Sequence, residues 1–473
     1  MSDLPADSAT ALVHAFRRGT LSPVEATRVA LDRIRAFDGA VNAFILVDED
    51  GAMEAARASE ARWRAGTPLG PVDGVPTTIK DATLTKGWPT LRGSLTIPRD
   101  QPWEDDAPVV ARLRESGAVF LGKTTTPEFA WKGVCDSALT GITRNPWDTS
   151  MTPGASSGGA AVAAALGMGW LHQGSDGGGS IRIPAGFSGV VGHKPSFGRV
   201  PTWPPTVQGT MSHTGPITRT VADAALMMNV IARPDVRDWM ALPHDARDWL
   251  IGLEEGVRGL RIAVSATLGY VTGLHPEIAA ALADAVAAFR DLGAVVEEVD
   301  PGFPDPAAAF RILWYAGASQ NLRRMTDEQR ALVDPGLQQL AREAAAFTAS
   351  DFIDAQMVRA RMGVAMKALH GRHDVLLTPT LPIPAFTAGQ EVPDLTKQRR
   401  WPEWTPYCYP FNMTMQPAIS IPCGLTQAGL PIGLQIIGPA HDDAMVLRVA
   451  RAFEAARPFA RIQAPRVTHH PRG

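Results

Sequence analysis

The feature that most constrains this sequence is a stretch rich in glycine and serine between Gly154 and Pro184. It holds nine glycines and four serines, most of them in two clusters, 154–159 and 174–180. Between the clusters, residues 160–167 are small and predict a closely packed helix. Glycine tolerates positive φ and lets backbone N–H groups approach a ligand closely. Because the stretch does not have the composition of a linker, it predicts a binding or reaction site.

Length and composition describe an ordinary globular protein. The 473 residues can bury a large core, and 45% of them are hydrophobic and 20% charged. The net charge of −3 offers no bulk attraction for nucleic acid or an anionic membrane. No apolar run has the length of a signal peptide or a transmembrane helix. We therefore expect a cytoplasmic chain with no nucleic-acid or membrane partner.

The three cysteines do not indicate a metal site or a disulfide framework. Cys135, Cys408 and Cys423 are an odd number and have no CxxC spacing. A reducing compartment fits this pattern. The sequence therefore predicts no structural metal.

Strand-like and helix-like segments alternate along most of the chain. Short apolar runs predict strands at 75–79, 118–121, 190–194, 260–264, 295–299, 374–377, 418–421 and 432–437. Helices are predicted between them, and Asp106 is expected to cap one that ends near Ser116. Residues 1–70 predict helices alone, one of which starts with the capping box at Ser22. The alternation favours an α/β fold with a mixed or mainly parallel sheet.

The two clusters allow two kinds of chemistry. As phosphate sites they fail, because a P-loop needs a Gly-Lys-Ser/Thr motif and neither cluster has that lysine. The second kind of chemistry is nucleophilic attack by Ser180. This serine follows three glycines, so a carbonyl could reach its Oγ while nearby N–H groups hold the oxyanion. The second reading is therefore favoured.

A serine nucleophile needs a base. No histidine lies between His14 and His172, and no Gly-x-Ser-x-Gly elbow surrounds Ser180. Lys80 ends an apolar β-like run, where burial would lower its pKa and favour the neutral amine. These residues alone do not place Lys80 beside Ser180, and a buried structural lysine is the alternative.

A dense set of motifs resembles the amidase signature family of serine hydrolases. The matching segments are Asp73 to Pro76, Lys80-Asp81, Lys123 to Phe129, Arg144 to Pro146, Pro153 to Gly159, Gly174 to Pro184, Gly189 to Gly192, Ser212 to Pro216, Thr220 to Asp223, Leu377 to Thr380, Phe411-Asn412 and Gly429 to Gln435. The resemblance covers nearly the whole chain and is most specific in residues 70–225.

The resemblance implies the architecture. The expected fold is the amidase signature α/β fold, a mixed, twisted central β-sheet covered on both sides by α-helices. A single domain is expected over 1–473, with its core in 70–232 and 370–473. N-terminal helices would occupy 1–70, and a more variable, substrate-shaping region would lie at about 233–400.

The resemblance also implies a Ser–cis-Ser–Lys triad. Ser180 would be the nucleophile, Ser156 the bridging serine on a cis peptide bond, and Lys80 the base. The oxyanion hole would consist of the N–H groups of Gly177, Gly178, Gly179 and Ser180. The expected supporting residues are Ser157, Asp176 and Arg182, and the candidate pocket residues are Phe129, Trp131 and Met415. Lys123 and Glu128 are expected to be structural.

The implied activity is hydrolysis of the C–N bond of a non-peptide small-molecule amide, without metal or organic cofactor. A hydrophobic or aryl amide is favoured, with carbamate (urethane) or ester hydrolysis as further activities of the same triad. One alternative is the amidase component of a tRNA-dependent amidotransferase, which would have a partner chain. The other is a non-catalytic binding protein on the same fold. By analogy with relatives, a homodimer is a candidate assembly.

Overall fold

The computed structural model of the protein describes residues 6–468. The helices in this range are α1 (Ala9–Arg18), α2 (Pro23–Val41), α3 (Glu49–Ala65), α4 (Pro108–Glu115), α5 (Gly158–Leu166), α6 (Arg182–Ser188), α7 (Val221–Ile231), α8 (Pro276–Asp291), α9 (Ala307–Ser319), α10 (Asp327–Ala331), α11 (Pro335–Ala344), α12 (Ala349–His370), α13 (Pro410–Met413) and α14 (Asp443–Ala456). The strands are β1 (Phe44–Val47), β2 (Pro76–Lys80), β3 (Val119–Thr124), β4 (Asp136–Ser137), β5 (Gly141–Ile142), β6 (Leu171–Asp176), β7 (Val191–Lys194), β8 (His213–Thr218), β9 (Arg261–Val264), β10 (Val295–Glu298), β11 (Val375–Pro379), β12 (Ala418–Leu425) and β13 (Pro431–Ile437).

Eleven of these strands form one mixed sheet in the order β1-β3-β2-β6-β8-β7-β12-β13-β11-β9-β10. Parallel pairing joins β3, β2 and β6, and also β11, β9 and β10. Antiparallel pairing joins the strands between them, and β4 and β5 form a separate two-stranded sheet. Helices flank the large sheet, so the predicted α/β class with a mixed sheet is confirmed.

Small residues let helix α5 lie close to its neighbours. All nine residues of α5 are buried. A Cβ atom on Gly159 would lie 2.4 Å from the carbonyl oxygen of Ala43, closer than any side chain allows. Glycine is therefore required at this approach. The close fit fixes the start of α5, and with it the two serines that precede the helix.

Parallel pairing brings the carboxyl ends of β2 and β6 to the same edge of the sheet. Thr77 pairs with Leu171 and Thr78 with His172. Lys80 is the last residue of β2, and Asp176 is the last residue of β6. Since ligand sites in α/β folds lie at the carboxyl ends of parallel strands, this edge is the expected place for chemistry.

Three local predictions differ from the structure. Residues 1–70 are not only helical, because β1 pairs antiparallel with β3 as the edge strand of the sheet. Asp106 does not cap α4, whose N-cap is Ala107 without a side-chain bond. Asp106 instead accepts from the N–H of Lys86 at 2.7 Å and binds Arg114 at 2.7 Å. Helix α9 and the central strands β6 and β8 were not individually predicted.

Among residues 6–468, no helix combines the length and the apolar character that a membrane crossing requires.

Candidate active site

Lys80 is fully buried and lies among three serine hydroxyls. Its Nζ is 2.7 Å from Ser156 Oγ, 3.0 Å from Ser157 Oγ and 3.0 Å from Ser175 Oγ. Burial lowers the pKa of Lys80 from its ordinary value of 10.5 to about 7. Near neutral pH, a large fraction of this amine is therefore uncharged and able to accept a proton.

The partners of Ser157 show that its hydroxyl accepts from Lys80, which leaves Ser156 and Ser175 as the hydroxyls that could face the lone pair of the amine. Ser157 Oγ donates to the carbonyl oxygen of Ser175 at 3.2 Å, so it accepts from Lys80. A neutral amine has two N–H donors and one lone pair. If Lys80 donates to Ser157 and Ser175, its lone pair is left for Ser156, the shortest of the three contacts. This arrangement would let Lys80 take the hydroxyl proton of Ser156.

Ser156 and Ser180 line the same pocket. The peptide bond between Ala155 and Ser156 is cis. The N–H of Ser157 donates to the carbonyl oxygen of Ser180 at 3.1 Å, which joins the two segments. Among residues 6–468, no hydrogen bond involves Ser180 Oγ, so this hydroxyl is available to a ligand in the pocket.

A buried ion pair supports the segment that carries Ser180. Both Asp176 and Arg182 are fully buried, and Arg182 Nε lies 2.9 Å from Asp176 Oδ2. Arg182 also donates to Asn412 and to Gln435. Burial by itself would raise the pKa of Asp176, but the charge and hydrogen bonds of Arg182 hold it below its usual range. The pair therefore stays ionised near neutral pH.

The structure changes one part of the expected oxyanion hole. The N–H of Gly179 donates to Asp176 Oδ1 at 2.7 Å, so this donor is already used, and the expectation for Gly179 is corrected. In the described part of the chain, the N–H groups of Gly177, Gly178 and Ser180 have no hydrogen-bond partner. Gly177 and Ser180 also line the pocket. These N–H groups are therefore free to donate to a ligand in the pocket.

The pocket beside Ser180 has a volume of about 190 Å³ and opens to solvent. Much of its wall is apolar or aromatic. The residues with apolar or aromatic side chains in its lining are Ala82, Leu84, Ala107, Pro108, Val109, Phe129, Ala130, Pro201, Trp203, Pro204, Pro205, Val207 and Trp314. Such a wall suits a hydrophobic or aryl group.

The three predicted pocket residues have different positions. Phe129 is in the lining. Trp131 is behind the wall, only 1% exposed, where its carbonyl oxygen accepts from Trp314 Nε1 at 3.1 Å. Met415 is 38% exposed and outside the lining, and its carbonyl oxygen accepts from the N–H of Phe197. The pocket predictions for Trp131 and Met415 are therefore corrected.

Two residues of the site were not predicted from the sequence. Ser175 lies within the second glycine-serine cluster, and its position directly before Asp176 at the end of a strand could have drawn attention to its hydroxyl. Trp314 comes from α9, in the region where motifs are least recognisable, and no local signal marks it. In residues 6–468, no group of three or more His, Cys, Asp or Glu side chains is arranged to hold a metal ion.

Comparison with known proteins finds relatives over nearly the full length. The Amidase family model matches residues 25–447. An acylamidase of Rhodococcus erythropolis is 37% identical over 463 residues, which cover 96% of each chain. A glutamyl-tRNA(Gln) amidotransferase subunit of Myxococcus xanthus (strain DK1622) is 38% identical over 475 residues, which cover 94% of this chain and 96% of the relative. Among solved structures, a bacterial aryl acylamidase of the amidase signature family superposes with a TM-score of 0.90 at 32% identity, covering 97% of this chain and 98% of the other.

Proposed function

The chain belongs to the amidase family, and we propose that it hydrolyses a hydrophobic or aryl small-molecule amide through an acyl-enzyme on Ser180. The observation that carries the proposal is the 2.7 Å contact between Lys80 Nζ and Ser156 Oγ, at a lysine whose pKa burial lowers to about 7. A base of this pKa is matched to neutral pH. Ser156, which Lys80 contacts, lines an open pocket together with Ser180.

In the proposed reaction, Ser180 Oγ rotates towards Ser156 and attacks the amide carbonyl carbon. The proton of Ser180 passes to Ser156, and the proton of Ser156 passes to Lys80. The N–H groups of Gly177 and Ser180 hold the oxyanion while the C–O bond forms. Lys80 then returns the proton through Ser156 to the nitrogen as the C–N bond breaks and the amine leaves. Water attacks the resulting ester and the same relay takes its proton. Lys80 then returns that proton through Ser156 to Ser180 Oγ as the C–O bond breaks and the acid leaves.

The preference for a hydrophobic or aryl group rests on the pocket wall. Aromatic side chains of Phe129, Trp203 and Trp314 line the space beside Ser180. The names of two relatives, an acylamidase and an aryl acylamidase, agree with this preference. Since the same nucleophile can attack any activated acyl carbonyl, carbamate (urethane) and ester hydrolysis are included in the proposal.

The test is release of ammonia or arylamine from a panel of aliphatic amides, anilides and carbamates. Wild type and Ser180→Ala are compared in parallel, and circular dichroism checks that both are folded. Loss of the nucleophile of a serine hydrolase lowers kcat by up to about 10⁶-fold. We expect turnover by wild type and none above background by the variant. Equal rates in both proteins, or no labelling of wild type by a serine-directed phosphonate, would instead favour a non-catalytic binding protein.

One observation favours a second candidate, the amidase component of a tRNA-dependent amidotransferase. A relative named as a subunit of such an enzyme is 38% identical over 94% of this chain. In this case the chain would act in an assembly with a partner chain. Absence of turnover of every amide in the panel by folded wild type that a serine-directed phosphonate still labels would support this candidate over the first.

A further inference from the structure

Arg92 is the one charged residue among the described residues that line the pocket of Ser180. The remaining lining consists of apolar, aromatic, small and uncharged polar residues. Arg92 itself is half-buried. The pocket that holds the nucleophile therefore presents one cation and no anion to its contents.

The Arg92 guanidinium has no partner of its own in residues 6–468. No hydrogen bond and no ion pair within 4.0 Å involves its side chain. The negative charge of Asp81 acts on Arg92 without a hydrogen bond between the two side chains. The carboxylate of Asp81 instead accepts from the N–H groups of Leu91 at 3.1 Å and Gly93 at 3.2 Å. A guanidinium carries five N–H donors, and no nitrogen of Arg92 is among the fully buried, unpartnered atoms of the described residues, so these donors are accessible to a ligand in the pocket.

The backbone at Arg92 is held firmly in place. Its N–H donates to the carbonyl oxygen of Asp81 at 2.9 Å, and its carbonyl oxygen accepts from the N–H of Phe129 at 2.8 Å. Its φ of 53° lies in the left-handed region, which side-chain-bearing residues seldom adopt. A Cβ on the next residue, Gly93, would lie 2.5 Å from the carbonyl oxygen of Thr126. These contacts restrict the backbone of the segment. The hydrogen bond between Arg92 and Phe129 also fixes two lining residues of the pocket relative to each other.

We propose that Arg92 binds a carboxylate of the substrate, so that the preferred amides are anionic molecules with an apolar or aryl body. This inference rests on the proposed hydrolase function. A guanidinium forms paired, charge-assisted hydrogen bonds with a carboxylate, and the partly desolvated pocket strengthens them. The carboxylate remains unchanged in the reaction and orients the amide, while the aromatic wall takes the apolar body.

The test compares neutral and anionic anilides with wild type, Arg92→Gln and Arg92→Lys. The neutral substrate is 4-nitroacetanilide. N-succinyl-4-nitroanilide carries a carboxylate on the acyl side of the scissile bond, and 4-acetamidobenzoate carries one on the amine side. We expect wild type to have a higher kcat/KM for one of the two anionic substrates than for neutral 4-nitroacetanilide. A hydrogen bond to a charged group is worth roughly 10- to 100-fold, so Arg92→Gln should lower that preference by this factor. Arg92→Lys keeps the charge and should retain part of the preference.

A binding measurement separates failure of this inference from failure of the hydrolase function. Calorimetry compares 3-phenylpropionate with 3-phenylpropionamide on the same proteins. Tighter binding of the carboxylate by wild type, lost in Arg92→Gln, would support the inference even if no anilide is cleaved. Equal affinities of wild type for acid and amide, or anilide hydrolysis without any preference for charge, would overturn it and leave the hydrolase function standing.

Discussion

The backbone N–H of Gly179 donates to Asp176 Oδ1 at 2.7 Å, so the loop that carries Ser180 is folded around a buried carboxylate. The same carboxylate accepts from the N–H of Ile181 and pairs with Arg182. Gly179 has a φ of 130°, a conformation that glycine adopts without strain. The ion pair therefore fixes the backbone that carries the free N–H groups and the proposed nucleophile, Ser180.

Asp176→Asn is expected to destabilise the protein strongly. The variant keeps an oxygen for Gly179 but leaves the buried charge of Arg182 without its counter-ion. Breaking a buried pair in this way typically costs about 3–5 kcal/mol. Urea unfolding measures the effect. Glu255→Gln is the control, because the Glu255 side chain is 61% exposed where it pairs with Arg448, and loss of this pair should cost about 1 kcal/mol or less. Equal unfolding midpoints for the two variants would contradict the structural role of the Asp176–Arg182 pair.

The proposed base predicts the sign of the pH dependence. Lys80 must be neutral to accept a proton, and burial lowers its pKa to about 7. The kcat/KM of the free enzyme should therefore rise about tenfold per pH unit below pH 7 and level off above it. Lys80→Met should lower kcat by at least roughly 10²–10⁴-fold at every pH.

Lys123→Met is the matched control for this profile. Burial lowers the pKa of Lys123 to about 7 as well, but its Nζ is bonded to the carbonyl oxygen of Thr83 and to the hydroxyls of Thr85 and Thr90. Lys123 is also outside the pocket lining. The rising limb should therefore stay near pH 7 in this variant. If the rise of kcat/KM with pH moves or disappears in Lys123→Met, Lys80 is not the titrating base.

Ser157 is predicted to be a positioning residue for Lys80. Ser157→Ala removes one acceptor of the lysine and leaves the N–H of Ser175 without its 3.2 Å partner. We expect kcat to fall by roughly tenfold, the worth of one such hydrogen bond, with little change in KM. Because hydroxyl acceptors stabilise the ammonium form, their loss lowers the pKa of Lys80 further. The rising limb should then shift to lower pH, a readout that general destabilisation would not produce.

Much of the fold was predictable because the chain's local signals agree with its packing. The alternation of apolar runs with helical segments indicated the α/β class, and the capping box predicted at Ser22 starts α2. The edge strand β1 was missed, because its four residues, Phe44–Val47, become a strand only by pairing with β3. Such pairing is a property of the tertiary structure, and no short stretch of sequence contains it.

The site was predictable to the extent that its residues belong to recognisable motifs. Lys80, Ser156 and Ser157 are gathered at one edge of the sheet, and the Asp176–Arg182 pair was expected. Hydrogen-bond direction was not predictable, which is why Gly179 was counted as an oxyanion donor. The pocket wall was not predictable either. It depends on which face of α9 and which part of the loop at 201–208 reach the space beside Ser180.

Trp314 is expected to set the affinity for aryl substrates. Its ring lines the pocket, packs 5.6 Å from Phe310 and 5.3 Å from Trp401 between ring centroids, and is anchored by its Nε1 bond to Trp131. Trp314→Ala would remove a large apolar contact, and losses of this size in binding pockets are typically about 10- to 100-fold. We expect KM for 4-nitroacetanilide to rise by that factor, while the rate with a small aliphatic amide changes less. Met415→Ala is the control, since Met415 lies outside the lining and should leave the aryl KM within about twofold. An equal effect of both variants, or a larger effect of Met415→Ala, would show that the aryl group binds elsewhere than beside Trp314.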